Sequence, residues 1–203
     1  MPQVSLSDFI LAARSGIALV SFPTDTVPAL ATRPDQANLI FTTKQRSPDK
    51  PLILMGAEAA DLWPFVTGTP EQWEIWKQVA VQHWPGALTL VLPASDRVPP
   101  AVNPGDPTTI GIRVPNHAIA RAVLAQTGPL ATTSVNRSGE PALKTMAAIE
   151  AQFPQILTLA PGESEELATR FPTAPTQASD TPSTVAKWTS TGWEILRQGA
   201  IIL

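Results

Sequence analysis

Ser134-Val135-Asn136-Arg137-Ser138-Gly139 is a run of hydrogen-bonding groups set directly after the apolar stretch 130–133. Its hydroxyls and carboxamide can bond a phosphate oxygen, a ribose hydroxyl or a base edge. Gly139 lets backbone approach a ligand closely. Pro23-Thr24-Asp25-Thr26 stands in the same relation to the apolar stretch 17–22, and Thr24, Asp25 and Thr26 suit a small polar substrate or a cation. Lys44-Gln45-Arg46 adds a mobile point charge and a planar five-donor fork two residues apart, with Lys50 close behind. Such a pair can grip a polyphosphate. Arg113 and Arg197 recur beside other predicted strands. Together these groups suggest an anion site, most readily a nucleotide site. Each group also fits a plainer role. Cations are favoured at helix C-termini anyway, threonine and aspartate cluster in turns, and a guanidinium at a strand end is commonly solvated.

The composition narrows the chemistry. The chain has 203 residues, 43% hydrophobic and 15% charged, with a formal net charge of -3. That balance gives no support to a protein that coats nucleic acid by bulk electrostatics, although a local basic pocket remains compatible with it. The absence of cysteine excludes disulfide and thiolate chemistry. His83 and His117 are the only histidines and read as structural, so no metal site is expected. Magnesium carried on nucleotide phosphates needs none. There is no GxxxxGK(S/T) loop, no GxGxxG and no GxSxG elbow, and Ser134 has no sequence-evident base. No signal-like start and no apolar run near the ~20 residues of a membrane span are present, so a cytoplasmic protein without membrane contact is expected.

The elements that must position these groups follow from period and punctuation. Ser5 or Ser7 can cap a helix through Arg14, with Leu6, Phe9, Ile10 and Ala13 on one face and Gly16 as its stop. Short apolar runs at 17–22, 52–55, 88–92, 109–114, 130–133 and 156–159 read as strands. Helices are expected from Pro34 to Lys44, over 57–65 and 70–81, from an Asn116 cap to Gln126, and over 145–153. Trp73 and Trp76 sit three apart and read as packing groups rather than base-stacking ones. Residues 162–182, poor in apolar side chains and carrying Pro172, Pro175 and Pro182, read as an exposed connector. A terminal strand pair around Ser190-Thr191-Gly192 closes a single α/β domain over 1–203.

In this order, the segments resemble the YrdC/Sua5 family of threonylcarbamoyl-adenylate synthases. The resemblance rests on Pro23-Thr24-Asp25-Thr26-Val27, Lys44-Gln45-Arg46 with Pro48, Pro51-Leu52, Pro85-Gly86-Ala87-Leu88-Thr89 and Ile112-Arg113-Val114-Pro115. It continues through the Ser134–Gly139 run, Pro182-Ser183-Thr184-Val185 and Leu196-Arg197-Gln198-Gly199-Ala200-Ile201, and covers roughly residues 5–203. It implies a YrdC/RibB-like twisted, open mixed sheet flanked by helices around a concave, positively charged cavity. It also implies that ATP, L-threonine and bicarbonate react to threonylcarbamoyl-AMP and pyrophosphate, for the N6-threonylcarbamoyladenosine of tRNA position 37. Carried over, Lys44 and Arg46 hold phosphates, Ser134 and Asn136 contact the adenylate, and Arg197 lies near the nucleotide. Thr24 and Thr26 line the threonine side, Ser183 completes it, and Arg113 adds positive charge. Magnesium comes with the phosphates, and tRNA or tRNA-modification proteins are the implied partners.

This sequence departs from the family pattern at several positions. The family commonly has Glu at Asp25, Tyr-Gly-Leu-Gly at Pro28-Ala29-Leu30-Ala31, a histidine at Met55, and a glycine pair within Ala178-Ser179-Asp180-Thr181. The departures fall on the substrate side more than on the phosphate side. The alternative is therefore a divergent nucleotide- or RNA-binding protein without the synthase activity. A carbamoyl-nucleotide activity of the hydrogenase-maturation kind is disfavoured by the absence of cysteine.

Overall fold

Ser5 and Gly16 bracket the first helix as the sequence predicts. The Ser5 hydroxyl accepts from the Asp8 backbone N–H at 3.2 Å, and Gly16 ends the helix at φ 69°, donating to the Ala12 carbonyl at 3.1 Å. Thr69 and Gln72 cap another helix reciprocally, and Thr145 caps a third through the Ala148 N–H. The computed structural model describes residues 3–169 and 178–203. In chain order its elements are β1 (Gln3–Val4), α1 (Leu6–Ser15), β2 (Val20–Phe22), β3 (Ala29–Thr32), α2 (Asn38–Lys44), β4 (Ile53–Met55), α3 (Ala59–Leu62) and α4 (Pro70–His83). They continue with β5 (Leu88–Pro93), β6 (Thr109–Arg113), α5 (Ala118–Thr127), β7 (Leu130–Ser134), α6 (Met146–Gln152), β8 (Leu157–Leu159), α7 (Pro161–Thr169), β9 (Thr184–Thr189) and β10 (Gly192–Arg197). No helix among the described residues is long and apolar enough to cross a membrane.

Three expectations need correction. The helix expected over 57–65 stops at Leu62, and Trp63–Phe65 tighten into a 3-10 turn around Pro64, which has no N–H to continue the α ladder. Helix α5 takes His117, not Asn116, at its N-cap. The connector expected over 162–182 begins instead as α7, which packs on α5 and buries Leu167 completely. Residues 170–177 lie outside the described part, and 178–182 are exposed chain leading into β9.

The strands form one mixed sheet in the order β1-β8-β2-β3-β7-β4-β6-β5-β9-β10. Parallel pairs (β1–β8, β2–β8, β4–β6, β5–β9) alternate irregularly with antiparallel ones. Side chains divide by the two-residue period of the strand. Leu54, Leu88, Leu90, Leu92, Ile110, Ile112, Ala131 and Ala186 face a core shared with Ile40 of α2, Trp76 and Ala80 of α4, and Ile149 of α6. The opposite face carries Val20, Phe22, Ala29, Ala31 and Leu130 against α1, α5 and Leu167 of α7. That second helical layer covers only part of its face. The alternate residues of β4, β6, β5 and β9 beyond it form the floor of an open cavity.

All six tryptophans stand in ring contact. Trp63 meets Trp73 at 5.4 Å and Trp84 at 5.6 Å, Trp73 meets Trp76, Trp76 meets Trp188 at 6.1 Å, and Trp188 meets Trp193 at 5.1 Å. Trp73 and Trp76 are therefore packing groups, as expected. The chain of edge-on rings ties α4 to the terminal hairpin on the side of the sheet away from the cavity.

Candidate functional site

The cavity measures about 700 Å³ and gathers side chains from seven strands and the loops between them. Thr26, Arg46, Arg113, Ser134, Asn136, Ser183 and Arg197, singled out from separate stretches of sequence, all line it. Two predicted site residues do not. Thr24 is fully buried, donating its hydroxyl to the Val27 carbonyl at 2.8 Å and accepting from the Thr26 N–H at 3.1 Å. It shapes the 23–27 loop from behind, and only Thr26 reaches the cavity wall. Lys44 is 1% exposed and also lies behind the wall.

The separation of Lys44 from Arg46 has a local cause. Gln45, between them, adopts the left-handed conformation at φ 50° and ends α2. The chain reverses there, so the side chains on either side diverge. The Lys44 ammonium donates to the Ser134 carbonyl and, at 3.1 Å, to Asn136 Oδ1, while the Lys44 carbonyl accepts from the Ser138 N–H at 3.2 Å. Ser134 Oγ donates to the same Asn136 oxygen at 2.6 Å, and Asn136 Nδ2 donates to the Arg137 and Glu140 carbonyls. One lysine thus organises the whole 134–140 loop. Burial, then the charges of Arg46 and Lys50, push its pKa down to about 7.

Arg46 spends Nε on the Lys50 carbonyl at 2.9 Å and Nη2 on the Pro51 carbonyl at 3.0 Å, bracing the loop before β4. Its other terminal nitrogen makes no hydrogen bond among the described residues. Burial lowers the pKa of Arg46 and of Arg197 below the ordinary arginine value.

Arg113 ends β6 at the deepest part of the wall, 3% exposed. It donates to Asp25 Oδ1 at 2.6 Å, Thr26 Oγ1 at 2.8 Å and the Gly86 carbonyl at 3.0 Å. Burial lowers its pKa, and Asp25 opposes that shift. Ser183 Oγ pairs with Thr89 Oγ1 at 2.9 Å. Arg197 reaches back to the Ser183 carbonyl at 3.0 Å and hydroxyl at 3.2 Å. The chain after β10 is stitched down by Thr184, whose hydroxyl donates to the Ile201 carbonyl and accepts from the Gly199 and Ile201 N–H groups. A Cβ on Gly199 would stand 2.4 Å from the Pro182 carbonyl oxygen and 2.5 Å from the Thr184 nitrogen, both rigid backbone. Gly199→Ala is therefore expected to cost ~1–3 kcal/mol, seen as a lower urea midpoint. An unchanged midpoint would mean that this tail is not packed as described.

The sequence reading missed one role and two residues. Asp25 is the counter-ion of Arg113. Thr89 supports Ser183 from the neighbouring strand. Lys187 lines the cavity from β9, where alternation from Ser183 through Val185 was a usable signal. The departures from the family pattern also fall on this wall, since Pro28, Ala29 and Met55 all line it. A wall with several guanidiniums and short hydroxyl groups can bind and orient a polyanion. No trio of His, Asp or Glu side chains converges to hold a metal among the described residues.

Comparison with known proteins agrees with this fold. The Sua5/YciO/YrdC family model, described as "Telomere recombination", matches residues 14–199. A threonylcarbamoyl-AMP synthase of Chromohalobacter salexigens is 34% identical over 162 residues, 77% of this chain and 84% of the relative. One from Bacillus subtilis is 36% identical over 145 residues, 69% of this chain but only 40% of the relative. P. abyssi Sua5, solved in complex with L-threonine, superposes with a TM-score of 0.79 at 29% identity, over 98% of this chain and 56% of that one. E. coli YciO, at 20% identity, a TM-score of 0.76 and 96% and 89% coverage of the two chains, shares the fold.

Proposed function

Because this chain belongs to the Sua5/YciO/YrdC family, we propose that its cavity binds ATP and forms threonylcarbamoyl-AMP from ATP, L-threonine and bicarbonate, releasing pyrophosphate. Family membership supports a nucleotide-binding function of the YrdC/Sua5 type. The observation that carries the finer reading is the convergence of Arg46, Ser134, Asn136, Arg113, Ser183 and Arg197 on one hollow. The likeness to P. abyssi Sua5 complexed with L-threonine supports threonine as the amino acid.

In this reading, the amine of threonine and bicarbonate condense to a carbamate with loss of water. A carbamate oxygen then attacks the α-phosphorus, and the bond to pyrophosphate breaks. The protein needs no covalent nucleophile. Its part is positioning, and neutralising charge that develops on phosphate oxygens. Arg46 faces the phosphates with its remaining donor, and Ser134 and Asn136, held rigid by Lys44, take the adenylate. Thr26 and the Ser183–Thr89 pair meet the amino acid beside Arg113. Magnesium carried on the phosphates supplies further charge neutralisation. The product would feed N6-threonylcarbamoyl modification of tRNA.

Protein incubated with ATP, magnesium, bicarbonate and L-threonine is expected to release pyrophosphate and yield the adenylate, and omission of threonine is expected to stop both. Arg46→Ala is expected to weaken ATP binding about tenfold, as loss of one charge-assisted contact does, in a protein that still folds although the Lys50 and Pro51 carbonyls lose their donor. Equal affinity by calorimetry would remove Arg46 from the site. A second reading, a nucleotide or RNA binder without turnover, is favoured by Pro28, Ala29 and Met55 on the cavity wall. ATP binding with no pyrophosphate release would select it.

A further inference from the structure

One cation on the cavity wall stands outside every motif named above. Lys187 lies opposite Val91 of β5, which in turn lies opposite Gly111 of β6. Arg197 of β10 lies opposite Val185 of β9. Lys187 and Val185 share the concave face by alternation. One strand spacing and two residues separate Lys187 from Arg197, so their Cα atoms are about 8 Å apart. The floor beside Lys187 is apolar, formed by Val91 and Val185. A Cβ on Gly111 would stand 2.7 Å from Ile53 Cγ2, so at the centre of this row the Ile53 side chain lies over the glycine.

The other cations of the wall already have partners within the protein. Arg113 is neutralised by Asp25, Arg46 serves two carbonyls, and Arg197 serves Ser183. Lys187 makes no hydrogen bond or ion pair among the described residues. Two carboxylates are near it. Asp106 lies close enough to feel its charge, yet its oxygens are occupied by the Thr108 N–H and the Thr108 and Thr109 hydroxyls. Glu194 is its cross-strand neighbour on β10, exposed and not within ion-pair distance. The ammonium therefore keeps its donors for something that enters the cavity. A lysine here acts as a flexible point charge, suited to a mobile phosphate rather than to a fixed planar group.

We propose that Lys187 contacts the outer phosphates of a nucleoside triphosphate bound in this cavity. The proposal rests on the nucleotide-binding reading above and adds a residue to it. Lys187 is half-buried toward the open edge of the sheet, whereas Arg113 and the Ser183–Thr89 pair are buried within it. A monophosphate, lacking the outer groups, does not need Lys187.

The test is titration calorimetry of the wild type, Lys187→Ala, Lys187→Gln and Lys187→Arg with magnesium-ATP, AMP and inorganic pyrophosphate. Lys187→Ala and Lys187→Gln are expected to weaken ATP and pyrophosphate about ten- to a hundredfold, the worth of a charged hydrogen bond, with AMP within about twofold. Lys187→Arg is expected to retain most of the affinity. ATP and pyrophosphate affinities unchanged in both neutral variants, or AMP weakened as much as ATP, overturn the proposal. In the first case a wild type that still binds ATP leaves the nucleotide reading standing. A wild type that binds none of the three ligands overturns both.

Discussion

Arg113→Ala is expected to lower the melting temperature by about 10 °C. The substitution strands the Asp25 carboxylate in a site where it is 8% exposed, with its 2.6 Å partner gone. Breaking a buried pair from one side typically costs ~3–5 kcal/mol, because the remaining charge is left uncompensated. In a chain of this size each kcal/mol moves the midpoint by about 2–4 °C. Asp25→Asn should destabilise in the same direction, leaving the buried guanidinium with neutral acceptors and no counter-charge. The double variant Arg113→Met with Asp25→Leu separates charge burial from shape. It is expected to recover most of the lost stability, since apolar replacements of a buried pair are often neutral or better. It should nonetheless bind anions poorly, because the deepest cation of the cavity is gone. A single variant that melts within about 2 °C of the wild type would mean that water reaches this pair.

Lys44 is expected to make both ligand binding and stability depend on pH near neutrality. Its pKa, pushed down to about 7 by burial and by Arg46 and Lys50, sits well below the ordinary lysine value of 10.5. The unfolded chain therefore holds more protons than the folded one between those two values. Stability should rise with pH across that window, and this contribution should level off below the folded pKa, where both states hold the proton. An anion bound on the 134–140 loop favours the ammonium that holds Ser134 and Asn136. Magnesium-ATP binding at pH 8 is thus expected to take up about one proton, and affinity should fall about tenfold per pH unit above 7. Calorimetry in buffers of different ionisation enthalpy reads the uptake directly. Lys44→Met should abolish both the uptake and the rise in stability. Proton-neutral binding by the wild type would show that Lys44 keeps one charge state throughout.

Much of the fold could be read along the chain because its determinants are short-range. Ser5, Thr69 and Thr145 cap helices through groups three residues away, and Gly16 stops a helix within one turn. Apolar runs of four to six residues became the strands of the sheet, within one to three residues at their ends. The missed helix α7 is the instructive exception. Its own sequence, Pro-Gly-Glu-Ser-Glu-Glu-Leu-Ala-Thr, buries a single leucine, and it is held by packing on α5 rather than by its own amphipathic face.

The site was legible as a set of residue types and only partly as geometry. Arg46, Ser134, Asn136, Arg113, Ser183 and Arg197 do meet around one hollow. Thr24 and Lys44 were assigned to a ligand and instead serve the protein's own carbonyls. Lys187 went unnoticed because nothing beside it in sequence marks it as part of a motif.

The amino-acid order by itself determined where backbone turns and which donors and acceptors sit on each loop, because caps, alternation and left-handed turns act within a few residues. Which of those groups face the cavity and which are spent inward was decided only in three dimensions. Lys44 meets Ser134 across 90 positions of chain, and Arg113 meets Asp25 across 88. Burial and partnership belong to such distant pairs, and they set both the charge of a group and its freedom to bind a ligand.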